Sequence, residues 1–395
     1  MSYDAAFAGL KVVDLSQGVA GPYCGMLLAQ HGADVTKVEP TGEGDWSRTL
    51  GRRYGGHTAY SIPTNLGKRS IALDLKSGEG KDVLWRLIGG ADVLLEGFRP
   101  GVLDRLGFGY AAVAKREPRI LYLSVSGFGQ TGPLAGRPAM DPVLQAFTGL
   151  MMDNKGEDGI PHRVPFVVVD MSTALYAFQA LSAALYARRD LPHGRHIAVS
   201  LLEAASAIQA IRMMMVYLEG ERVRRAMPSG VFKTADGWLQ FLVVRQQQWI
   251  ELCAVLDKPE LARDPRFIDD DARSRNEAEL LAIVRPAIAE KPSDHWAERL
   301  RRADIMHERL NSFREFLGQP QVEAIDLIGW LKLAEAPEPI PVPNIAGIAK
   351  LADGTPRAAT PALGQHTTDI LREHGFKSAE IAALIERKVV AIPRA

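Results

Sequence analysis

The sequence predicts an α/β fold with a largely parallel sheet covered on both faces. Three observations carry that expectation. Short, near-continuous apolar runs recur through the first half of the chain. Segments with apolar residues at helical spacing separate them, which is the pattern of parallel βαβ units. The length, 395 residues, is enough for two domains and an ample core.

The elements follow in order. Leu10–Leu15 reads as a buried strand, followed by a Gly-rich turn and a helix over Pro22–His31. Asp34–Glu39, Ser70–Leu75, Asp92–Glu96 and Ile120–Ser126 read as further strands, with a helix over Gly80–Ile88. The apolar run Val164–Val169 ends at Asp170, and helical spacing sets in from Met171 to Leu181. A carboxylate at such a strand-to-helix junction meets free backbone N–H groups and the positive helix end, so it stays ionised and points outward. On local sequence alone Asp170 is first of all a helix N-cap.

A helical stretch then includes Ala198–Glu219, and the character changes near Arg222–Ser229, where Arg222–Arg225 is the longest basic run. Thr234–Gly237 reads as a hairpin turn on the strength of Asp236-Gly237, and charged helical segments continue to about Arg302. Glu335–Pro343 reads as a linker, because proline at that density suits neither a helix nor a central strand. Thr367–His374 and Ser378–Arg387 read as terminal helices, and no internal repeat interrupts the series.

Composition narrows the function. Lys plus Arg (47) balances Asp plus Glu (47), so no global field favours nucleic acid or an anionic membrane as partner. Cys24 and Cys253 are two core-type cysteines without a disulfide framework or metal-ligand spacing, and no metal is expected. Met1–Gly9 lacks a basic segment followed by an apolar one, and no stretch approaches the roughly 20 apolar residues of a membrane span. A soluble cytoplasmic protein is the expectation.

Two motifs mislead. Gly127–Gly132 matches G-x-G-x-x-G, but it follows the fifth strand and is flanked by Pro133 and Pro138. A dinucleotide site needs the last glycine to open a helix, so this segment reads as a loop bordering a site. Gly80-Lys81 resembles the end of a P-loop, but Asp82 replaces the hydroxyl that would hold magnesium and Leu75 the leading glycine.

Separated segments then line up in order: Val12–Leu15 with Ala20-Gly21-Pro22, Gly32–Pro40, Asn65–Asp74, Ala91–Gly107, Ser126–Pro133, Asp141–Ala146, the Asp170 junction, and Leu363–Thr367. On these segments the whole chain resembles the class III CoA-transferases, the family of formyl-CoA and carnitine CoA-transferases that also contains the α-methylacyl-CoA racemases. The resemblance implies a doubly wound, parallel-sheet large domain built from both chain ends, residues 1–227 and 326–395. It also implies a smaller α+β domain over 228–325 and an interlocked homodimer.

The resemblance further implies that Asp170 is a nucleophile. The matching aspartate attacks an acyl-CoA thioester, giving a mixed anhydride and then an aspartyl-CoA thioester, and an acceptor acid reverses the steps. The implied substrates are an acyl-CoA and a carboxylic acid. CoA carries a pyrophosphate and a 3′-phosphate, which call for cations and free backbone N–H groups. Lys37, Lys68, Arg69, Arg99 and Arg105 sit at or just past predicted strand ends, with Arg105 the family's nucleotide-binding arginine. Val19, Ala20, Gly97, Phe98 and Asp141 complete the implied CoA contacts. Backbone N–H groups near Gly18–Gly21 or in Gly127–Gly132 are the candidates for holding the oxyanion.

Three departures bear on the reaction. Met140 stands where racemase relatives carry histidine, and methionine cannot exchange protons, so racemisation is the second reading. Val19 replaces a glutamine of the formyl-CoA transferases, and Val243–Gln248 replaces their glycine-rich loop. A CoA-binding protein without turnover is the third reading. For a second substrate carboxylate, Arg52, Arg53, His57, His162 and Arg163 are the candidates, and His366 reads as a helix-start hydrogen-bonding residue.

Overall fold

Seven strands form the main sheet of the computed structural model, which describes residues 5–156, 158–220, 226–333 and 335–393. In chain order its elements are β1 (Lys11–Asp14), α1 (Ala20–Gln30), β2 (Asp34–Glu39), β3 (Arg69–Leu73), α2 (Gly78–Ile88) and β4 (Val93–Glu96). There follow α3 (Val102–Leu106), β5 (Leu121–Ser126), α4 (Asp141–Phe147), α5 (Val168–Arg188), β6 (Arg195–Ser200), α6 (Leu201–Ile208) and β7 (Val390–Ala391). The basic run Arg222–Arg225 lies outside the described residues.

The strands lie in the order β7-β3-β2-β1-β4-β5-β6. All neighbours are parallel except β7, which pairs antiparallel with β3. The chain works outward from β1 through β2 to β3, then returns to lay β4 on the other side of β1. That reversal opens a crevice beyond the carboxyl ends of β1 and β4, where doubly wound sheets bind ligands.

Both sheet faces are covered. On one, α1 and α5 bury Cys24, Leu28, Ala174, Ala177 and Leu181 against Val12, Leu95 and Leu123. On the other, α2 and the helices Thr367–Glu373 and Ser378–Glu386 bury Leu84, Leu87, Ile370, Leu371 and Leu384 against Val13 and Leu94. Each such leucine contributes about 1.5–3 kcal/mol of burial.

Several expectations are corrected. Val164–Val167 is loop, not strand, and α5 starts at Val168 with Asp170 already in its first turn. Ala198–Ser200 belongs to β6, and the helical stretch divides into α6 and Ala210–Glu219. Ile340–Pro343, expected as linker, pairs with Ile328–Leu331 in a two-stranded ribbon, where proline's missing N–H faces no third strand. With 21 residues, α5 is long and apolar enough to cross a membrane by length and composition, contrary to the expectation that no stretch approaches this. Its Val169, Ala174, Ala177 and Leu181 pack into the core just described.

Residues 1–210 and 326–395 form one compact unit and residues 211–325 another, where the resemblance implies a first boundary at 227/228. The second unit has an antiparallel sheet of Ser229–Lys233, Trp238–Leu242 and Met306–Arg309, its first two strands joined through Thr234–Gly237. Its core gathers Phe232, Phe241, Trp249, Cys253 and Phe267.

Candidate active site

The crevice at the β1–β4 switch point holds two cavities that share Gln17 and Phe98. The first, about 670 Å³, is lined by the loop after β1 (Gln17, Val19), the start of α1 (Ala20, Gly21), Trp46, Gly97–Pro100, Ser126-Gly127, Arg137–Met140 and Asp170. Its other walls include Val125, Val143 and Leu201. The second, about 540 Å³, lies beyond the ends of β2 and β3 and is lined by Pro40–Gly42, Asp74–Lys76, Phe98, Val102 and Arg105 among others.

Asp170 sits in the first turn of α5, whose N-cap, Val167, makes no side-chain cap bond. The capping work falls to Asp141, at the start of α4: its Oδ2 accepts the N–H groups of Val169 (2.7 Å) and Asp170 (3.1 Å). Gln145, one turn along α4, donates to Asp141 Oδ1 at 2.6 Å and accepts the Val164 N–H at 2.9 Å, anchoring the loop into α5. The Asp170 carboxylate is thereby released from its expected cap role and faces the cavity. Burial, with the Asp141 charge behind it, pushes its pKa up to about 7, against the expectation of a freely ionised, outward-pointing group.

Among the described residues lining the first cavity, Asp170 is the one carboxylate and there is no histidine. Arg99 and Arg137 supply cations, the Arg137 guanidinium lying 5.5 Å from the Phe128 ring centroid. Phe98 stands between the cavities, its N–H held by Glu96 Oε2 at 2.8 Å. Burial pushes Glu96 up to about 7 against the hydrogen bonds from Ser124 and Phe98.

Of the residues singled out from sequence, Val19, Ala20, Gly97, Phe98, Arg99, Arg105 and Asp170 line one cavity or the other. Lys37, Lys68, Arg69 and Asp141 do not. Lys37 is fully buried, ion-paired with Asp45 at 3.0 Å, and donates to the Ser16 carbonyl. Lys68 is buried beside Asp14 at 2.8 Å and donates to the Pro22 carbonyl at 2.7 Å. Burial lowers the Lys68 ammonium to about 8 despite Asp14 beside it. Both lysines brace the loop after β1 instead of reaching phosphates. Arg69 opens β3 at the opposite end of the sheet and is held by Asp34 and Glu373.

The histidines and arginines considered for a second carboxylate, Arg52, Arg53, His57, His162 and Arg163, line neither cavity. His366 Nδ1 accepts the Ser70 N–H at 3.1 Å and makes no side-chain cap bond. Of the candidate oxyanion donors, the Gly18 N–H is taken by Asp45, and of the Gly127–Gly132 loop only Gly127 reaches the first cavity. Val19, Ala20, Gly21 and Gly127 remain; as first-turn residues of α1, Ala20 and Gly21 have N–H groups without an intrahelical acceptor.

Sequence reading missed Gln17, Trp46, Lys76 and Arg137. Lys76 carried a usable signal, since it directly follows the strand expected to end at Leu75. Arg137 lies ten residues beyond the glycine at the end of β5, and only the return of that loop brings it back.

Comparison with known proteins finds relatives along nearly the whole chain. The profile of CoA-transferase family III matches residues 7–367. An acetyl-CoA:oxalate CoA-transferase of Acetobacter aceti is 36% identical over 330 residues, 82% of this chain and 85% of that protein. The human succinyl-CoA:glutarate CoA-transferase is 32% identical, covering 92% of this chain and 85% of that protein. The crystal structure of Rv3272 from Mycobacterium tuberculosis superposes with a TM-score of 0.79 at 31% identity, covering 92% of this chain and 98% of that one.

Proposed function

The chain belongs to CoA-transferase family III, and from that premise we propose that it moves CoA from an acyl-CoA donor to a carboxylic acid acceptor through Asp170. One observation carries the reading: a single carboxylate with a perturbed proton affinity stands in a cavity that shares Gln17 and Phe98 with a second one bearing cations. The length of CoA suits two adjoining cavities. Lys76 and Arg105 meet the phosphate end in the second, and the thioester reaches Asp170 in the first.

Ionised Asp170 attacks the thioester carbonyl, and the C–S bond breaks to leave an aspartyl–acyl anhydride and CoA thiolate. The thiolate attacks the aspartyl carbonyl, forming aspartyl-CoA and releasing the donor acid. The acceptor carboxylate attacks aspartyl-CoA to give a second anhydride. Returning thiolate takes the acceptor's acyl group and frees Asp170. The first-turn N–H groups of Ala20 and Gly21 stabilise the oxyanions, aided by the positive end of α1. Arg99 and Arg137 draw the acceptor carboxylate into the cavity. Relatives named for oxalate and for succinyl-CoA with glutarate make succinyl-CoA the first donor to try.

Racemisation needs a second base. Met140 lines the cavity where that base would stand, and no other lining residue among those described supplies one. The active form is read as the interlocked homodimer of the family. Its support is large exposed apolar side chains, among them Phe166 (61%), Tyr186 (68%) and, in the helix Ala210–Glu219, Ile211 (80%) and Tyr217 (89%).

The test is intact-mass spectrometry after incubation with succinyl-CoA and other acyl-CoAs. A hydroxylamine-sensitive CoA adduct is expected on the native protein and absent from Asp170→Ala. α-Deuterium exchange from heavy water without an adduct would replace this reading by racemisation.

A further inference from the structure

Trp46 takes no part in the chemistry assigned to Asp170, yet its indole forms a wall of the same cavity. It opens a short 3-10 turn, Trp46–Arg48, and is 38% exposed. The ring lies directly on the backbone of Gly18: a Cβ there would meet Trp46 Cζ2 at 2.1 Å. Gly18 also has φ +84°, which side chains rarely adopt, so both the conformation and the close approach demand glycine.

One carboxylate joins the two segments. Asp45 accepts the Gly18 N–H at 2.9 and 3.1 Å and the Ser47 N–H at 2.9 Å, capping the turn that carries Trp46. Lys37 neutralises Asp45 at 3.0 Å and ties the same loop through the Ser16 carbonyl, all within the buried interior. The indole is therefore held by packing and by its capped turn. Around it the cavity offers mostly hydrocarbon: Val19, Ala20, Val125, Met140, Val143 and Leu201. A rigid aromatic wall in an apolar cavity discriminates by size, and one methylene too many in such a pocket changes rates about tenfold or more.

We propose that Trp46 sets the size of the acyl group this cavity accepts, and that Asp45, paired with Lys37, is the positioning residue that keeps the indole in place. The proposal rests on the assignment of the cavity to acyl-CoA.

The experiment measures binding of S-alkyl-CoA thioethers, ethyl to dodecyl, by calorimetry to full-length protein, so that no covalent step is involved. The variants are Trp46→Ala, Trp46→Phe and the neutralised pair Lys37→Met with Asp45→Asn, which leaves no lone buried charge. Trp46→Ala is expected to raise the long-to-short affinity ratio about tenfold or more. Trp46→Phe keeps the native ratio within about threefold, and the neutralised pair shifts it in the direction of Trp46→Ala. A native ratio in Trp46→Ala overturns the role of Trp46, whatever happens to absolute affinity. A native ratio in a folded neutralised pair overturns the positioning role of Asp45; if that pair does not fold, Asp45→Glu, which keeps the charge and displaces the carboxylate, decides the point by the same ratio. The adduct experiment with Asp170→Ala fails or succeeds independently, because thioether binding does not need the aspartate.

Discussion

The proposed task of Asp170 requires ionisation, and its site resists it. Adduct formation is therefore expected to rise about tenfold per pH unit below about 7 and to level off above it, followed by intact mass at short times. Stability has the opposite sign. The folded pKa is raised above the usual 3.8, so the contribution of Asp170 to stability is complete below that value and lost as pH climbs through about 7. Asp170→Asn should accordingly gain in urea midpoint over the native protein on going from about pH 4 to pH 8, the reverse of what a helix-capping aspartate would give. On the proposed placement of CoA, Arg105→Ala should weaken its binding about tenfold or more by calorimetry, as expected for the loss of a charge-assisted bond to phosphate.

At the scale of elements, α5 depends on a cap supplied from α4. Asp141→Ala should cost about 1 kcal/mol in denaturant unfolding and move the pH profile of adduct formation toward acid, because the Asp141 charge helps hold the Asp170 proton. A cap role alone would change the first quantity and leave the second. The loop after β1 is braced by ions that water never reaches. Lys37→Met alone leaves Asp45 buried without its partner and should cost about 3–5 kcal/mol, while neutralising both should cost clearly less. Sequence showed these lysines as strand-end cations and gave no hint of their direction, since one residue of strand alternation separates phosphate ligand from buried brace.

For the molecule as a whole, β7 closes the sheet edge with residues from the far end of the chain, Val390 being buried against β3. Deleting residues 389–395 should expose that edge and lower the thermal midpoint, visible by calorimetry and by a loss of soluble protein. The proposed homodimer predicts a light-scattering mass of two chains.

The apolar runs and helical spacing of residues 10–126 made β1–β5, five of the seven strands, legible, because buried parallel strands must be hydrophobic along their whole length. Asp170 was legible as a residue but not as a geometry. Local preference for aspartate at caps pointed to a self-capping role, and only the approach of Asp141, 29 residues earlier, frees its carboxylate for the cavity. β6 and β7 escaped notice because edge strands are short or half exposed and their periodicity is weak. By itself the sequence determined the fold class and, through the resemblance carried by its separated motifs, the family, and it marked Asp170 as the candidate nucleophile. Which cations face the cavities, which are buried as braces, and where Trp46 stands were decided only by the tertiary structure, since each depends on the side to which a strand or loop turns its side chains.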